Sequence, residues 1–136
     1  MRVLLIEDDA LVRSVLSETL EADGIEVEGL SNAEDALILL GAGQVPDVLV
    51  SDVNLGEGLN GFDLADIARS RHPDVEVILI SGTMPDAERR PLRQHERFLR
   101  KPFHPAALAA VIREAGGSAA AEPSWPDRDE DPGTQR

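Results

Sequence analysis

The chain of 136 residues contains no cysteine, so it can form neither a disulfide nor a metal site built from thiolates. This absence fits a reducing compartment. No apolar run approaches the roughly 20 residues that cross a bilayer, and the N-terminus enters a strand-like segment without the pattern of a signal peptide. We therefore expect a soluble, cytoplasmic protein.

Positive charge is also scarce. Lysine and arginine together number 13 against 26 aspartates and glutamates, which gives a formal net charge of −13. A field of that sign opposes binding to DNA, RNA or anionic lipid, and it favours cations and basic protein surfaces. We expect no nucleic-acid or membrane partner. The sequence has a single lysine, Lys101.

Short apolar segments alternate with segments of helical periodicity along the first 117 residues. The apolar runs predict strands over 2–6, 25–30, 48–51, 75–80 and 97–100. A predicted helix follows each strand, and the fourth, within 84–95, is expected to be short or broken because Pro91 interrupts it. This order predicts an α/β fold with a five-stranded parallel sheet, doubly wound by helices on both faces.

The composition changes after the last predicted helix, which we expect to end at Gly116 and Gly117. Residues 118–136 are rich in Ala, Pro, Asp and Glu and show no apolar period. We therefore expect one domain over 1–117 and a disordered acidic, proline-rich tail over 118–136. Trp125 is the only large apolar residue of this tail, and its role stays open.

Polar residues follow four of the predicted strands. Because ligands bind beyond the carboxyl ends of strands in such sheets, we expect these residues to converge. Carboxylate oxygens and a main-chain carbonyl just past the third strand suit Mg²⁺, with room for water. A rigidly held aspartate there can act as a nucleophile towards phosphorus, and a lysine and a hydroxyl can stabilise the phosphoryl oxygens. The residues are Glu7, Asp8 and Asp9 after the first strand, Asp52 after the third, Ser81 after the fourth and Lys101 after the fifth.

Taken together, these motifs resemble the receiver domain of two-component response regulators (CheY-like), over about residues 1–116. The matching segments are Val-Leu-Leu-Ile-Glu-Asp-Asp at 3–9, Val-Leu-Val-Ser-Asp at 48–52, Val-Ile-Leu-Ile-Ser-Gly at 77–82 and Lys-Pro-Phe at 101–103. The resemblance implies a flavodoxin-like fold with strand order 2-1-3-4-5. It also implies that Asp52 accepts a phosphoryl group from a histidine kinase or a histidine phosphotransfer protein.

The same resemblance assigns roles to individual residues. It implies a Mg²⁺ site, in which Mn²⁺ can substitute, made by Glu7, Asp8, Asp52 and the main-chain carbonyl of Asn54. Ser81 and Lys101 would contact the phosphate. The aromatic residue Phe98 would act as a switch by changing its burial. Secondary positions near the site are Asp9, Gly82, Thr83 and Pro102.

The chain also departs from the common pattern of the family. The loop after Asp52 carries Gly56-Glu57-Gly58 where proline is common, and it is one residue longer. His104 replaces a better helix cap after Lys-Pro-Phe. The three histidines show no pairing at metal-ligand spacing, so we expect them at the surface and the donor histidine on another protein.

Three functions remain open from the residues alone. The leading hypothesis is a single-domain response regulator, a phosphorylation switch and not an enzyme beyond self-phosphorylation and self-dephosphorylation. It would lack a DNA-binding output domain, signal by protein contact or pass the phosphoryl group on, and be a monomer or a weak phosphorylation-dependent dimer. The second is a haloacid-dehalogenase-like phosphatase, which needs a second acid where this chain has Asn54. The third is a binding module that works without phosphorylation.

Overall fold

In a computed structural model of the protein, the structure describes residues 1–56, 58–82 and 91–120. Five parallel strands form one sheet in the order β2-β1-β3-β4-β5, which confirms the predicted fold class and strand order. The strands are β1 (Arg2–Ile6), β2 (Glu26–Leu30), β3 (Val48–Asp52), β4 (Glu76–Ser81) and β5 (Glu96–Arg100). The described helices are α1 (Ala10–Ala22), α2 (Ala33–Gly41), α3 (Gly61–Arg71) and α4 (Pro105–Ala120).

The sheet buries apolar side chains on both faces. Alternate residues of a strand point to opposite faces, so the odd and even positions of β1 enter different clusters. Helices α2 and α3 cover one face, where they pack on Leu4, Ile6, Leu49, Val77 and Leu79. Helices α1 and α4 cover the other, where they pack on Val3, Leu5, Val48, Val50, Ile78 and Ile80.

The helices begin at side chains that accept hydrogen bonds from free backbone N–H groups. Asp9 accepts from the N–H groups of Leu11 and Val12 at the start of α1. Asn32 caps α2. Before α3, Asn60 forms a reciprocal capping box with Asp63. These caps set the points at which the chain leaves the loops that surround the carboxyl edge of the sheet.

The last two predicted helices differ from the structure. Helix α4 does not end at the glycine pair but continues to Ala120, because each helical glycine costs only about 1 kcal/mol and the alanines on either side favour the helix. His104 does supply a cap, since its Nδ1 accepts from the N–H of Ala106 at 3.1 Å. The predicted helix within 84–95 lies mostly outside the described residues, and 91–95 is not helical.

At the amino edge of the sheet, two buried glutamates meet basic side chains. Glu76 Oε1 accepts from Arg97 Nη1 at 2.9 Å, and Glu76 Oε2 lies 2.6 Å from His95 Nδ1. Arg69 of α3 is paired with Glu96, whose side chain has no exposed surface. His95 is therefore half-buried and paired, whereas the sequence predicted a surface residue. The sequence pattern gave no signal for these contacts, because the partners are 19 to 27 residues apart.

Among the described residues, no helix combines the length and the apolar composition that a membrane crossing needs.

Candidate functional site

The register of β1 and β3 brings three acids together at the carboxyl edge. Ile6 lies beside Ser51, so Glu7 and Asp52 come next to each other at the end of the two strands. Carboxylate oxygens of Glu7, Asp8 and Asp52 all lie within 4.8 Å of one another. Glu7 and Asp52 are buried, with 5% and 6% of their surface exposed, whereas Asp8 is exposed. The predicted convergence of the first and third strand ends is therefore present.

Lys101 comes from the end of β5 to the same group of acids. Its Nζ lies 2.8 Å from Asp52 Oδ1, 3.1 Å from Asp52 Oδ2 and 3.8 Å from Glu7 Oε1. Its backbone N–H donates to the carbonyl of Ser81 at 2.8 Å, which holds the segment after β5 against the end of β4. Three carboxylates thus face one ammonium, and the site retains an excess of negative charge.

Burial and this excess of negative charge change the pKa values of two groups. Burial raises the pKa of Glu7 to about 7, and the hydrogen bond and negative charge of Asp52 act in the same direction. The N–H of Asp9 and the charge of Lys101 oppose this shift. Burial lowers the pKa of Lys101, but the hydrogen bond and charge of Asp52 outweigh it, with help from Glu7 and Asp8, and the pKa ends above its usual value.

Asp9 has a different role from the two acids before it. Its side chain caps α1, while its N–H donates to Glu7 Oε2 at 3.1 Å. Arg13, one turn into α1, donates from Nη1 to the carbonyl of Glu7 at 2.7 Å. Arg13 was not predicted as a site residue, because an arginine in a helix carries no local signal of a contact with the preceding strand.

The remaining predicted residues that the structure describes lie at or near the same edge. Ser81 is the last residue of β4 and is buried, and Gly82 follows it in an exposed position. Pro102 follows Lys101 through a cis peptide bond and is exposed. Asn54 is exposed two residues after Asp52, and Thr83 lies outside the described residues.

Phe98 occupies the middle of the edge strand β5. It is half-buried and packs against the cluster beneath α2 and α3. Its register partner on β4 is Leu79. Strand β4 lies between this position and the strand of Asp52, so a change in the depth of the ring would alter the surface of β5 rather than contact Asp52.

The donor set at the site fits a hard divalent cation. Carboxylates from two strand ends provide oxygen ligands, and the exposed side of Asp8 leaves room for water. Three carboxylates this close repel one another unless a cation lies between them. Burial raises the pKa of Glu7 first, and the negative charge of Asp52 adds to that rise. A buried aspartate in contact with an ammonium is also an arrangement that can stabilise charge on a transferred phosphoryl group.

The family model of the response regulator receiver domain matches residues 3–113. The chain belongs to this family. Receiver domains are the phosphorylation switches of two-component systems, and they bind Mg²⁺ at an acidic pocket and interact with histidine kinases and phosphotransfer partners. The resemblance and the flavodoxin-like receiver fold expected from the sequence are thereby confirmed.

Two curated relatives of this receiver domain are much longer proteins. It is 34% identical over 113 residues to the response regulator protein FleR of Pseudomonas aeruginosa, covering 82% of this chain and 24% of that protein. It is 36% identical over 115 residues to the sensor kinase CckA of Brucella abortus, covering 82% of this chain and 12% of that protein. The chain thus spans a quarter or less of either relative.

Solved structures agree with this assignment. The receiver domain of the hybrid histidine kinase CckA is 32% identical, with a TM-score of 0.72, and the match covers 85% of this chain and 98% of that one. A response regulator receiver protein from Sinorhizobium medicae has a TM-score of 0.80 at 24% identity, over 87% and 95% of the two chains. The second match supports the fold alone.

Proposed function

We propose that Asp52 is the phosphoacceptor of this receiver domain. The observation that carries the proposal is the position of Asp52, which is buried at a strand end with acidic oxygens within 4.8 Å and Lys101 Nζ at 2.8 Å. Its carboxylate would attack the phosphorus of a phosphohistidine on a kinase or phosphotransfer protein. The P–O bond forms as the P–N bond breaks, and the electron pair returns to the imidazole of the donor.

The other site residues would hold the transferred group. Glu7, Asp8, Asp52 and the carbonyl of Asn54 are proposed to hold Mg²⁺, which would neutralise phosphoryl oxygens during transfer. Lys101 would exchange part of its contact with Asp52 for an oxygen of the phosphate. The Ser81 hydroxyl would donate to another oxygen, and Phe98 would then change its burial. Gly82, Thr83 and Pro102 are proposed to shape the surrounding loops.

The proposed output is a protein contact or onward transfer of the phosphoryl group. The acidic surface of the chain supports a partner other than nucleic acid. The proposal also includes a receiver domain that extends to the end of α4 at Ala120, three residues beyond the predicted boundary at 117. A cytoplasmic location and a monomer or weak phosphorylation-dependent dimer belong to it as well.

The test is phosphorylation by a small acyl phosphate donor in Mg²⁺, followed by intact mass. Wild type is expected to gain one phosphoryl group and Asp52→Asn none, while Asp74→Asn, which removes an exposed carboxylate outside the site, behaves as wild type. Beryllofluoride with Mg²⁺ should bind wild type and block labelling. If wild type neither labels nor binds beryllofluoride, the chain is a phosphorylation-independent binding module. Sustained phosphate release from a small phosphate ester would instead indicate a phosphatase.

A further inference from the structure

Glu34, in the first turn of α2, contacts the loop that follows β3. Its Oε2 accepts a hydrogen bond from the backbone N–H of Leu59 at 3.2 Å. The two residues are 25 positions apart in the sequence, so the contact joins a helix start to a separate loop. Leu59 also packs with its side chain against the core cluster beneath α2 and α3, which brings its backbone towards Glu34.

Gly58 is the residue that permits this contact. A Cβ at position 58 would lie 2.8 Å from Glu34 Oε2, closer than van der Waals contact allows, and φ of Gly58 is +90°. A side chain at this position would meet a conformational penalty from the positive φ, and it would displace the flexible Glu34 carboxylate from its present place. The glycine that distinguishes this loop from the common pattern of the family thus lies directly against the carboxylate of Glu34.

The other end of the loop lies at the proposed metal site. Val53 and Leu55 are buried on either side of the exposed Asn54, and the loop leaves the core after Leu55. A Cβ at Gly56, where φ is +79°, would lie 4.0 Å from Asp8 Oδ2. The loop therefore passes close to Asp8 at one end and is held by Glu34 at the other.

We propose that Glu34 is a positioning residue for the proposed Mg²⁺ site, an inference that rests on the function proposed above. An added loop residue increases the conformational freedom that must be lost when the Asn54 carbonyl is held towards a cation. The hydrogen bond from Leu59 to Glu34 restricts the loop before the cation binds. Glu34 is not among the proposed ligands of the cation, so we expect it to act on Mg²⁺ binding rather than on the transfer step.

Two substitutions separate the hydrogen bond from the charge of Glu34. Both Glu34→Gln and Glu34→Ala remove one negative charge near the site, but the glutamine keeps an oxygen that can accept from Leu59. Because one such bond contributes about 0.5–1.5 kcal/mol, Glu34→Ala should weaken Mg²⁺ binding by about two- to thirteenfold. Glu34→Gln should stay within about twofold of wild type. The readouts are Mg²⁺ titration followed by backbone NMR and the Mg²⁺ dependence of labelling by the acyl phosphate.

The labelling rate at saturating Mg²⁺ should be unchanged in both variants, since the tether is not part of the transfer step. Circular dichroism melts confirm folding, and the Leu59 amide should lose protection from hydrogen exchange in Glu34→Ala alone. The inference is overturned if Glu34→Ala binds Mg²⁺ as wild type does, or if Glu34→Gln loses as much affinity as Glu34→Ala, which would identify a charge effect. If wild type itself fails to bind Mg²⁺, the proposed function fails and not merely this addition to it.

Discussion

At the scale of a single residue, Glu7 shows how burial and charge oppose each other in the site. The folded protein encloses its side chain beside the carboxylate of Asp52, and this raises the pKa of Glu7 from 4.5 to about 7. A proton on Glu7 or a divalent cation next to it would each relieve the repulsion. Protons and Mg²⁺ should therefore compete for the same carboxylate.

The stability of the protein without divalent ions should fall as pH rises from about 4.5 to about 7. Over this window the folded state retains a proton on Glu7 that the unfolded chain has released, so deprotonation favours unfolding. Urea unfolding at a series of pH values measures the slope of the free energy of unfolding against pH. Glu7→Gln should flatten it, and Mg²⁺ should stabilise wild type more above the window than within it. If Glu7→Gln left this slope unchanged, the pH dependence of stability would not come from Glu7.

At the scale of an element, the start of α3 depends on a close backbone approach. A Cβ at Gly61 would lie 2.3 Å from the carbonyl oxygen of Asp52 and 2.9 Å from the Cα of Val53. The N–H of Gly61 donates to the carbonyl of Val53 at 2.8 Å. The helix therefore begins directly against the end of the strand that carries the proposed phosphoacceptor.

Gly61→Ala should destabilise the protein by about 3 kcal/mol or more, because backbone atoms rather than a flexible side chain must move. Urea unfolding gives the change in free energy. Gly41→Ala on α2 is the matched control, since its Cβ would meet only Arg71 Nη1 at 3.5 Å. That control should be neutral or stabilising by up to about 1 kcal/mol. Equal effects of both substitutions would mean that α3 can shift away from β3.

The sequence predicted elements with strong local signals. The apolar runs predicted all five strands to within one residue at either end. The differences of one residue include Asp52 and Ser81, which belong to β3 and β4 rather than following them. Contacts such as those of Glu34 with Leu59 and of Arg13 with Glu7 have no local pattern, because they arise only when separate elements pack.

At the scale of the whole molecule, the two edges of the sheet differ in how their acidic side chains are paired with basic ones. At the carboxyl edge, three acids share one lysine. At the amino edge, arginines and a histidine pair with the buried glutamates of β4 and β5. One edge thus retains negative charge that a ligand can neutralise, while the other is neutralised by the protein itself.

A substitution at the amino edge should change the free energy of unfolding without changing Mg²⁺ binding at the carboxyl edge. Arg69→Met leaves the buried carboxylate of Glu96 without one of its partners, so stability should fall by about 3 kcal/mol. Mg²⁺ affinity should stay within about twofold of wild type, because distant sites behave additively. Arg113→Met, which removes a half-exposed pair with Asp23, should cost about 1 kcal/mol or less. Chemical unfolding and Mg²⁺ titration of both variants check this, and a large loss of Mg²⁺ affinity in Arg69→Met would show that the edges are coupled.

The single lysine also gives this protein a built-in chemical reporter. Its only side-chain amine is Lys101, whose side chain is 38% exposed and whose pKa is raised by its acidic neighbours. An acylating reagent reacts with the neutral amine, so apart from the N-terminus it would modify the protein only at this position. Because Lys101 contacts Asp52, the rate of that modification would change when the surroundings of Asp52 change. Occupancy of the site could then be read by mass spectrometry in the natural chain, without an introduced probe.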